Sequence, residues 1–201
     1  MAKIKLTKTE LKTQRDALKQ FSRFLPTLQL KKQQLQMELR LSKKLLQENE
    51  AADQALRDGL ASWIVLFGDK ANIEDKVANY LTIEKIDCDK TNIAGVTVPV
   101  FNEVLFSVTE YDLYSEEPYL DDVIQAVKDV ISIREAHKVL EEQFRLLENE
   151  LRLTTQRVNL FEKVKIPECK ENIRRIQIYL GDMDTAAVAR SKIAKGKGVA
   201  A

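Results

Sequence analysis

The chain has 201 residues, of which 31% are charged and 44% are hydrophobic, and its formal net charge is only +1. Charges of both signs in nearly equal numbers are typical of solvated helix faces and argue against a nucleic-acid-binding protein. Few glycines, four prolines and an aromatic fraction of 6% shift the composition toward proteins built from long helices.

The N-terminal sequence and the cysteines indicate the cellular compartment of the protein. The first ten residues lack the apolar core of a signal peptide. The longest apolar run, from Trp63 to Phe67, is far too short for a membrane span, so direct membrane insertion is not expected. Cys88 and Cys169 indicate no disulfide framework and favour a reducing compartment. We therefore expect a cytoplasmic protein that meets a membrane only through its partners.

Residues 1–67 predict one long helix. Thr7 and Glu10 have the spacing of a capping box, which predicts a start near Lys8, and Gly68 followed by Asp69 predicts the stop. Apolar residues recur at steps of seven, three and four, as a left-handed coiled coil requires. This seam contains Leu11, Leu18, Phe21, Leu25, Leu28, Leu35, Leu39, Leu46 and Leu56. Such a helix would be on the order of 100 Å long, which predicts a rod rather than a globular core.

Polar residues interrupt the seam of the first helix. These are Gln14, Lys32, Ser42, Asn49 and Asp53. They weaken a simple two-stranded zipper, and two interpretations stay open: they set the register, or they face a partner. Pro26 is predicted to kink the helix.

Residues 68–117 change in character and predict a small middle segment with a β-hairpin. Its strands are expected around Tyr80–Cys88 and Val96–Val108, where β-branched and aromatic residues alternate with polar ones. The turn is expected at residues 89–92, followed by Gly95, and Pro99 suits an edge or a bulge. A short helix is expected over Ile73–Leu81.

Residues 118–190 predict a second long helix, with Pro118 as its first residue. Its seam contains Ile133, Leu140, Phe144, Leu147, Leu151, Val158, Ile166, Cys169, Ile173, Ile176, Leu180 and Met183. A stutter near Phe161 predicts local unwinding of the supercoil. The fold class is therefore mainly α, a long antiparallel two-helix coiled coil with a hairpin in the middle. Residues 191–201 are expected to form a basic, flexible tail.

Seam spacing also predicts the register of the antiparallel pair. The expected neighbours are Leu25 with Ile166, Leu39 with Leu151, and Leu46 with Phe144. Pro26 and Pro167 would then lie at a similar height and share one bend.

The residues offer no catalytic group, cofactor site or metal site. His137, the only histidine, falls on the seam side of the second helix, where packing is a better explanation than catalysis. The cysteines lack metal-ligand spacing, and the scattered glycines form no phosphate loop. The basic residues at the C-terminus (Arg190, Lys192, Lys195 and Lys197) could touch an anionic surface, although a solvated helix end explains them more simply.

Three segments carry a resemblance to one family. The first is Arg157-Val158-Asn159-Leu160-Phe161-Glu162 with Ile166-Pro167, Ile173 and Ile176. The second is Asn92-Ile93-Ala94-Gly95-Val96 with Val98-Pro99, and the third is Thr9-Glu10-Leu11 with Leu28, Lys31 and Leu35. Together they resemble the D subunit of the V-type and archaeal-type ATPases over essentially the whole chain. The departures are Phe161 in place of a small residue, Cys169, and a short Ala/Gly tail.

That resemblance implies a non-catalytic rotor shaft. The two terminal helices would reach into an A3B3 hexamer of A and B subunits, with the middle segment toward the membrane. The F subunit would bind the side of the shaft, and a membrane-side linker, the C/d subunit, would join it to the ion ring. The outward faces of both termini, including Lys3, Lys5, Lys8 and the Arg190–Lys197 tail, would form the bearing. Lys32, Ser42, Asn49 and Asp53 would mark the place where a third helix, such as one from the F subunit, docks.

Two other classes of protein are compatible with parts of the same sequence pattern. A coiled-coil scaffold or tether unrelated to ATPases is the main alternative, and it predicts self-association through the seam. A helical protein on a membrane surface fits less well, because the net charge is near neutral and no basic apolar face is present.

Overall fold

The computed structural model describes residues 4–67, 73–112, 114 and 119–199. The fold is mainly helical, with a long N-terminal helix, a long C-terminal helical region and a two-stranded antiparallel hairpin between them, as the sequence predicts. In chain order the elements are α1 (Lys8–Phe67), α2 (Ile73–Tyr80), β1 (Leu81–Ile93), β2 (Val96–Val108), α3 (Leu120–Asn159), a π-helical segment (Leu160–Lys165) and α4 (Ile166–Val199). Pro118 and the expected stop at Gly68 and Asp69 lie outside the described residues.

The N-terminus of α1 forms where the capping box predicts it. The helix begins at Lys8, and the Glu10 backbone N–H donates to Thr7 Oγ1 over 3.3 Å. Pro26 lies inside this 60-residue helix without ending it. The apolar seam residues of α1 are all buried or half-buried, whereas the positions between them are mostly exposed. The sequence pattern therefore identified the buried face of α1 correctly.

The chain divides into two compact units. The first unit combines residues 1–33 with residues 152–201, and the second unit is residues 34–151. Each contains a length of α1 and a length of the C-terminal helical region, and each is described by itself below.

In the second unit, the tip of the hairpin packs on the helix pair. Leu35 of α1, Leu147 of α3 and Val98 of β2 form a cluster in which each side chain is fully buried. Leu39 and Leu151, which we expected to be neighbours, both pack against this cluster, as do residues on both sides of the hairpin turn (Ile93, Ala94 and Val96). Because a helix pair alone leaves one side of its seam open, the hairpin completes the core at this level.

The loop of the hairpin is shorter than the turn predicted from the sequence, and it lies closer to Gly95. Residues 89–92, the expected turn, continue β1 and pair with residues 97–100 of β2. The loop has two residues, Ala94 with φ 51° and Gly95 with φ 80°, and Asn92 Oδ1 accepts a hydrogen bond from the Gly95 N–H over 2.9 Å. Positive φ at both positions is the mark of a type I′ turn, whose twist matches that of the strands. The expected turn position was wrong because the polar residues after Cys88 belong to an exposed part of β1.

The base of the hairpin is tied to its neighbours by tyrosines. The Thr109 backbone N–H donates to the carbonyl of Tyr80 over 2.9 Å, and the rings of Tyr80 and Tyr111 lie 5.0 Å apart. The Tyr111 hydroxyl also donates to the Asp121 carboxylate at the start of α3. That bond to a carboxylate raises the pKa of Tyr111. The hairpin is therefore anchored at its tip by the Leu35–Val98–Leu147 cluster and at its base by Tyr80 and Tyr111.

In the first unit, α1 pairs with the C-terminal helical region in antiparallel fashion. Gln14 lies opposite Asn172, whose Nδ2 donates to Gln14 Oε1 over 3.4 Å, and the rings of Phe21 and Phe161 lie 5.1 Å apart. The expected register would place Gln14 opposite Ile176 and Phe21 opposite Cys169. The observed pairs differ from both, so the expected register was wrong in this unit. Pro167 lies between these two contacts and Pro26 lies outside them, so the two prolines do not share one bend.

The register in the second unit also differs from the expected one. Asn49 meets His137 rather than Glu141, a shift of four residues, or about one helical turn. Seam spacing alone does not fix the register, because seam positions recur at steps of three and four residues on both helices.

Candidate functional surfaces

The polar residues of the α1 seam are of two kinds. Gln14 and Asn49 hydrogen-bond across the helix pair, to Asn172 and His137 respectively. Ser42, in contrast, is 2% exposed, and its hydroxyl has no hydrogen-bond partner within the described part of the chain. For Gln14 and Asn49 the structure favours the first interpretation, that these residues set the register. Lys32 is half-buried.

Asp53 lies at the edge of a groove between α1 and α3 in the second unit. Its Oδ2 accepts from Arg57 Nε over 2.8 Å, whereas its Oδ1 is buried with no hydrogen-bond partner among the described residues. The groove has a volume of about 530 Å³, and its walls carry both acidic and basic side chains. Its lining includes Asn49, Glu50, Asp53, Arg57, Arg134 and His137.

The contacts of His137 are structural. Its Nδ1 lies 3.2 Å from Asn49 Oδ1, and its Nε2 lies 3.5 Å from Glu141 Oε1. Both ring nitrogens therefore face oxygen acceptors, and one of these contacts joins α3 to α1. The arrangement holds two helices at a fixed level, which agrees with the packing role that the sequence favours.

An apolar stripe on α1 faces away from the seam. Met37, Leu41 and Leu45 follow one another at four-residue steps, so they share one face of the helix. They are 69%, 53% and 39% exposed, respectively. This stripe was not predicted from the sequence, although the four-residue spacing of Met37, Leu41 and Leu45 indicates it. A row of exposed apolar side chains on one helix face is the usual docking surface for a second amphipathic helix.

The C-terminal part of α4 extends past the start of α1. Counting from the Gln14–Asn172 contact, α1 reaches Lys8 at about the level of residue 178, and α4 continues to Val199. This is nine residues beyond the expected end at Arg190, so residues 191–199 are helical. Val188 and Ile193 are exposed on this part of the helix. The basic side chains of Arg190, Lys192 and Lys195 are exposed as well.

The remaining basic residues of the expected bearing lie at the N-terminus. Lys5 and Lys8 are exposed, whereas Lys3 and the side chain of Lys197 lie outside what the structure describes. Solvated lysines at these positions leave the surface of both termini available for contact with another protein.

The two cysteines differ in accessibility. Cys88, on β1, is exposed, and Cys169, on α4, is buried in the seam. Burial away from water raises the pKa of the Cys169 thiol. A thiol that holds its proton is a weak nucleophile, so Cys169 behaves as a small apolar seam residue.

The described residues contain neither a metal-binding cluster nor a membrane-spanning helix. Across residues 4–67, 73–112, 114 and 119–199, no group of three or more His, Cys, Asp or Glu side chains is arranged to hold a metal ion. In the same part of the chain, no helix combines the length and the apolar character that crossing a bilayer requires.

Comparison with known proteins identifies the family. A family model described as the D subunit of ATP synthase matches residues 10–196. The chain belongs to the ATP synthase D-subunit family. It is 45% identical over 195 residues to the V-type ATP synthase D subunit of Borreliella burgdorferi, and the match covers 97% of this chain and 95% of the relative. It is 35% identical to the V-type ATP synthase D subunit of Chlamydia muridarum, over 98% of this chain and 96% of that one.

Membership in the D-subunit family confirms the resemblance seen in the sequence motifs. The Arg157–Glu162 motif spans the junction of α3 with the π-helical segment, and the Asn92–Val96 motif forms the hairpin turn. Both motifs therefore fall where the fold departs from regular helix or strand, which explains why these positions carry a recognisable pattern.

Proposed function

We propose that this chain is the non-catalytic central-stalk component, or rotor shaft, of a V/A-type rotary ATPase or ATP synthase. It couples ATP synthesis or hydrolysis in an A3B3 hexamer to the transport of protons or sodium ions across a membrane. The observation that carries the proposal is the D-subunit match over residues 10–196. The antiparallel helix pairing in both units supports it. The protein would be cytoplasmic and peripheral to the membrane, held there by its complex.

The mechanism follows from asymmetry. A hexamer with three equivalent catalytic sites can be driven in order only by an element that contacts the three sites differently. A ligand or partner biases a site among its states by its differential affinity for those states. A single shaft chain has no threefold symmetry, so each A–B pair meets a different face of it. Nucleotide state and shaft angle are then linked reciprocally.

The bearing inside the hexamer would be formed by the exposed end of α4, from about residue 178 onward, together with Lys5 and Lys8. Exposed Val188 and Ile193 offer apolar contact, and Arg190, Lys192 and Lys195 offer charge. A single helix that extends beyond its partner can enter a narrower opening than a helix pair can.

The F subunit would dock on the stripe formed by Met37, Leu41 and Leu45. Our expectation from the sequence was that it docks at Lys32, Ser42, Asn49 and Asp53. The burial of Ser42 and the pairing of Asn49 with His137 argue against that choice, because these side chains face the partner helix. The exposed stripe suits an amphipathic helix. The membrane-side linker, the C/d subunit, would connect the shaft to the ion ring.

The experiment is reconstitution of A–B hexamers with and without this chain, followed by assays of ATP hydrolysis and, in the full complex, of ion pumping. Hexamers without the chain should retain slow hydrolysis but lose sustained turnover and pumping. Val158→Asp places a charge in the seam, where Val158 is 3% exposed, and should abolish coupling. The matched control is Gln156→Asp at an exposed position two residues away, which should pump normally.

Two results would overturn the proposal. Full pumping by a complex that lacks the chain would show that the chain is not the shaft. A chain that self-associates and never binds the hexamer would instead favour the coiled-coil scaffold. His137→Ala should leave hydrolysis intact, and its loss in a normally assembled complex would contradict the non-catalytic role.

A further inference from the structure

The charge of the chain is divided unequally between its two units. The first unit contains 20 Lys and Arg residues and 7 Asp and Glu residues, which gives it a net charge of +13. The second unit contains 12 Lys and Arg residues and 24 Asp and Glu residues, which gives it a net charge of −12. The overall charge of +1 therefore conceals two regions of strong and opposite charge. An asymmetry of this kind indicates that a region binds a partner of the opposite charge.

Part of the positive charge of the first unit forms one stripe on α1, the basic stripe. Its members are Lys8, Lys12, Arg15, Lys19 and Arg23, and all five are exposed. With 3.6 residues per turn, these positions fall within an arc of about 80° around the helix axis. The basic stripe extends over about 22 Å of the helix. It is therefore a continuous surface rather than a set of scattered cations.

The cations of the basic stripe have no counter-charge within the described part of the chain. None of their side chains forms an ion pair or a hydrogen bond there. Elsewhere, charged residues one turn apart have opposite signs, as Lys44 and Glu48 do. Within the basic stripe, three pairs of cations lie four residues apart, and like charges at this spacing destabilise a helix. A local arrangement that opposes the stability of its own helix is expected where residues serve binding.

The neighbours of the basic stripe favour an acidic protein surface over a polyphosphate or a bilayer. The exposed positions beside it are polar and include Thr9, Asp16 and Ser22. A basic helix that binds a bilayer needs apolar side chains beside its cations, and single-stranded nucleic acid is bound on aromatic side chains. Asp16 would repel phosphate groups, whereas a protein surface can place a cation opposite this carboxylate.

We propose that the basic stripe docks on an acidic surface of a partner protein. This inference rests on the proposed function, under which that surface lines the opening of the A3B3 hexamer that receives the first unit. The same acidic surface repels the second unit, with its net charge of −12, so it selects the first unit as the part that enters. Exposed charges at an interface act mainly on the rate of association and on its salt dependence.

The rate at which the full-length chain associates with A–B hexamers assembled without it tests this inference. A fluorophore on Cys88, which is exposed whereas Cys169 is buried, reports binding in a stopped-flow experiment. The stripe variant carries Lys8→Gln, Lys12→Gln and Lys19→Gln. It should associate at least ~10-fold more slowly than the wild type at low salt, and screening at high salt should reduce this difference to about twofold or less. Arginine at the same three positions should preserve the wild-type rate.

The matched control changes three exposed lysines of the second unit. Lys43→Gln, Lys44→Gln and Lys90→Gln alter the net charge of the chain by the same amount and should slow association by about twofold at most. Equal slowing by the two triple variants would show that only net charge matters and would overturn the proposal. The stripe variant should also keep or raise the midpoint of thermal unfolding, because it removes repulsion between like charges. A lower midpoint would assign these lysines to the stability of the fold instead.

The remaining outcomes separate this inference from the proposed function. If the wild-type chain does not bind the hexamer, both fail. If the wild type binds and the stripe variant associates at the same rate at low salt, this inference alone fails. Tighter binding of the wild type to duplex DNA, or to vesicles of equal parts phosphatidylcholine and phosphatidylserine, than to the hexamer at the same salt would overturn the assignment of an acidic protein partner.

Discussion

Asn49 and His137 face each other across α1 and α3, with 3.2 Å between Asn49 Oδ1 and His137 Nδ1. The two residues are separated by 88 positions in sequence, so this contact fixes one level of the helix pairing in the second unit. An apolar pair at the same level would tolerate a slip of one turn, whereas a hydrogen bond between specific atoms does not.

Removal of this hydrogen bond should destabilise the chain modestly. Asn49→Ala leaves the half-buried ring of His137 without its partner on α1 and should lower the free energy of unfolding by about 1 kcal/mol. The control Gln47→Ala changes an exposed residue two positions away and should have almost no effect. Urea denaturation monitored by circular dichroism gives both values. An equal loss in the two variants would mean that the contact contributes nothing specific.

The hairpin tip should contribute to the stability of the helix pair. Leu147→Ala opens a cavity in the Leu35–Val98–Leu147 cluster and should cost about 2–5 kcal/mol. Val98→Ala should cost less, and the double variant should show a coupling of about 0.5–3 kcal/mol because the two side chains share one cluster. Met37→Ala, at a 69% exposed position, serves as the control. Strict additivity in the double-mutant cycle would indicate that the tip is not packed on the helices.

The type I′ turn predicts opposite effects at its two positions. Ala94 has φ 51°, a strained conformation for alanine, so Ala94→Asn should raise the free energy of unfolding by roughly 0.5–1 kcal/mol. Gly95 has φ 80°, and Gly95→Ala should lower it by about 1 kcal/mol. Thermal unfolding of the full-length variants measures both. If Ala94→Asn were destabilising, the turn would not have the positive φ described here.

The buried thiol predicts a loss of stability in alkali. Burial raises the pKa of Cys169 above its ordinary value of 9.0, so the folded chain holds this proton more tightly than the unfolded chain. The contribution of this thiol to the free energy of unfolding is complete below pH 9. It declines as the pH rises through the higher pKa of Cys169 in the folded state. The midpoint of thermal unfolding should fall more steeply above pH 9 in the wild type than in Cys169→Ala. In the same pH range a maleimide should modify exposed Cys88 well before Cys169.

The sequence predicts the elements far better than it predicts how they meet. The capping residues, the seam of α1 and the β-hairpin each follow from local spacing and are observed, and the irregularity predicted near Phe161 coincides with the π-helical segment. The register does not follow from spacing, because seam positions recur at steps of three and four residues on both helices, so several pairings bring seam residues together. Only a contact between particular atoms, such as Asn49 Oδ1 with His137 Nδ1, fixes the register of the second unit.

The candidate surfaces illustrate the same limit. The polar seam positions are visible in the sequence, but whether Ser42 faces a partner protein or the interior depends on tertiary packing. The packing of Val98 on Leu35 and Leu147 was not predicted either, since no local pattern relates a strand residue to helices so distant in sequence. The exposed stripe at Met37 could have been found from spacing, but only with the knowledge that the opposite face of α1 is the buried one.

The Leu35–Leu147 contact also has a consequence for how the chain is made. The two residues are separated by about 110 positions, so α1 is synthesised long before the helix that covers its seam. An isolated helix with a continuous apolar face is exposed to association with other chains during that interval. We therefore expect the nascent chain to fold late, once α3 has left the ribosome, and α1 to be the segment that chaperones protect until then.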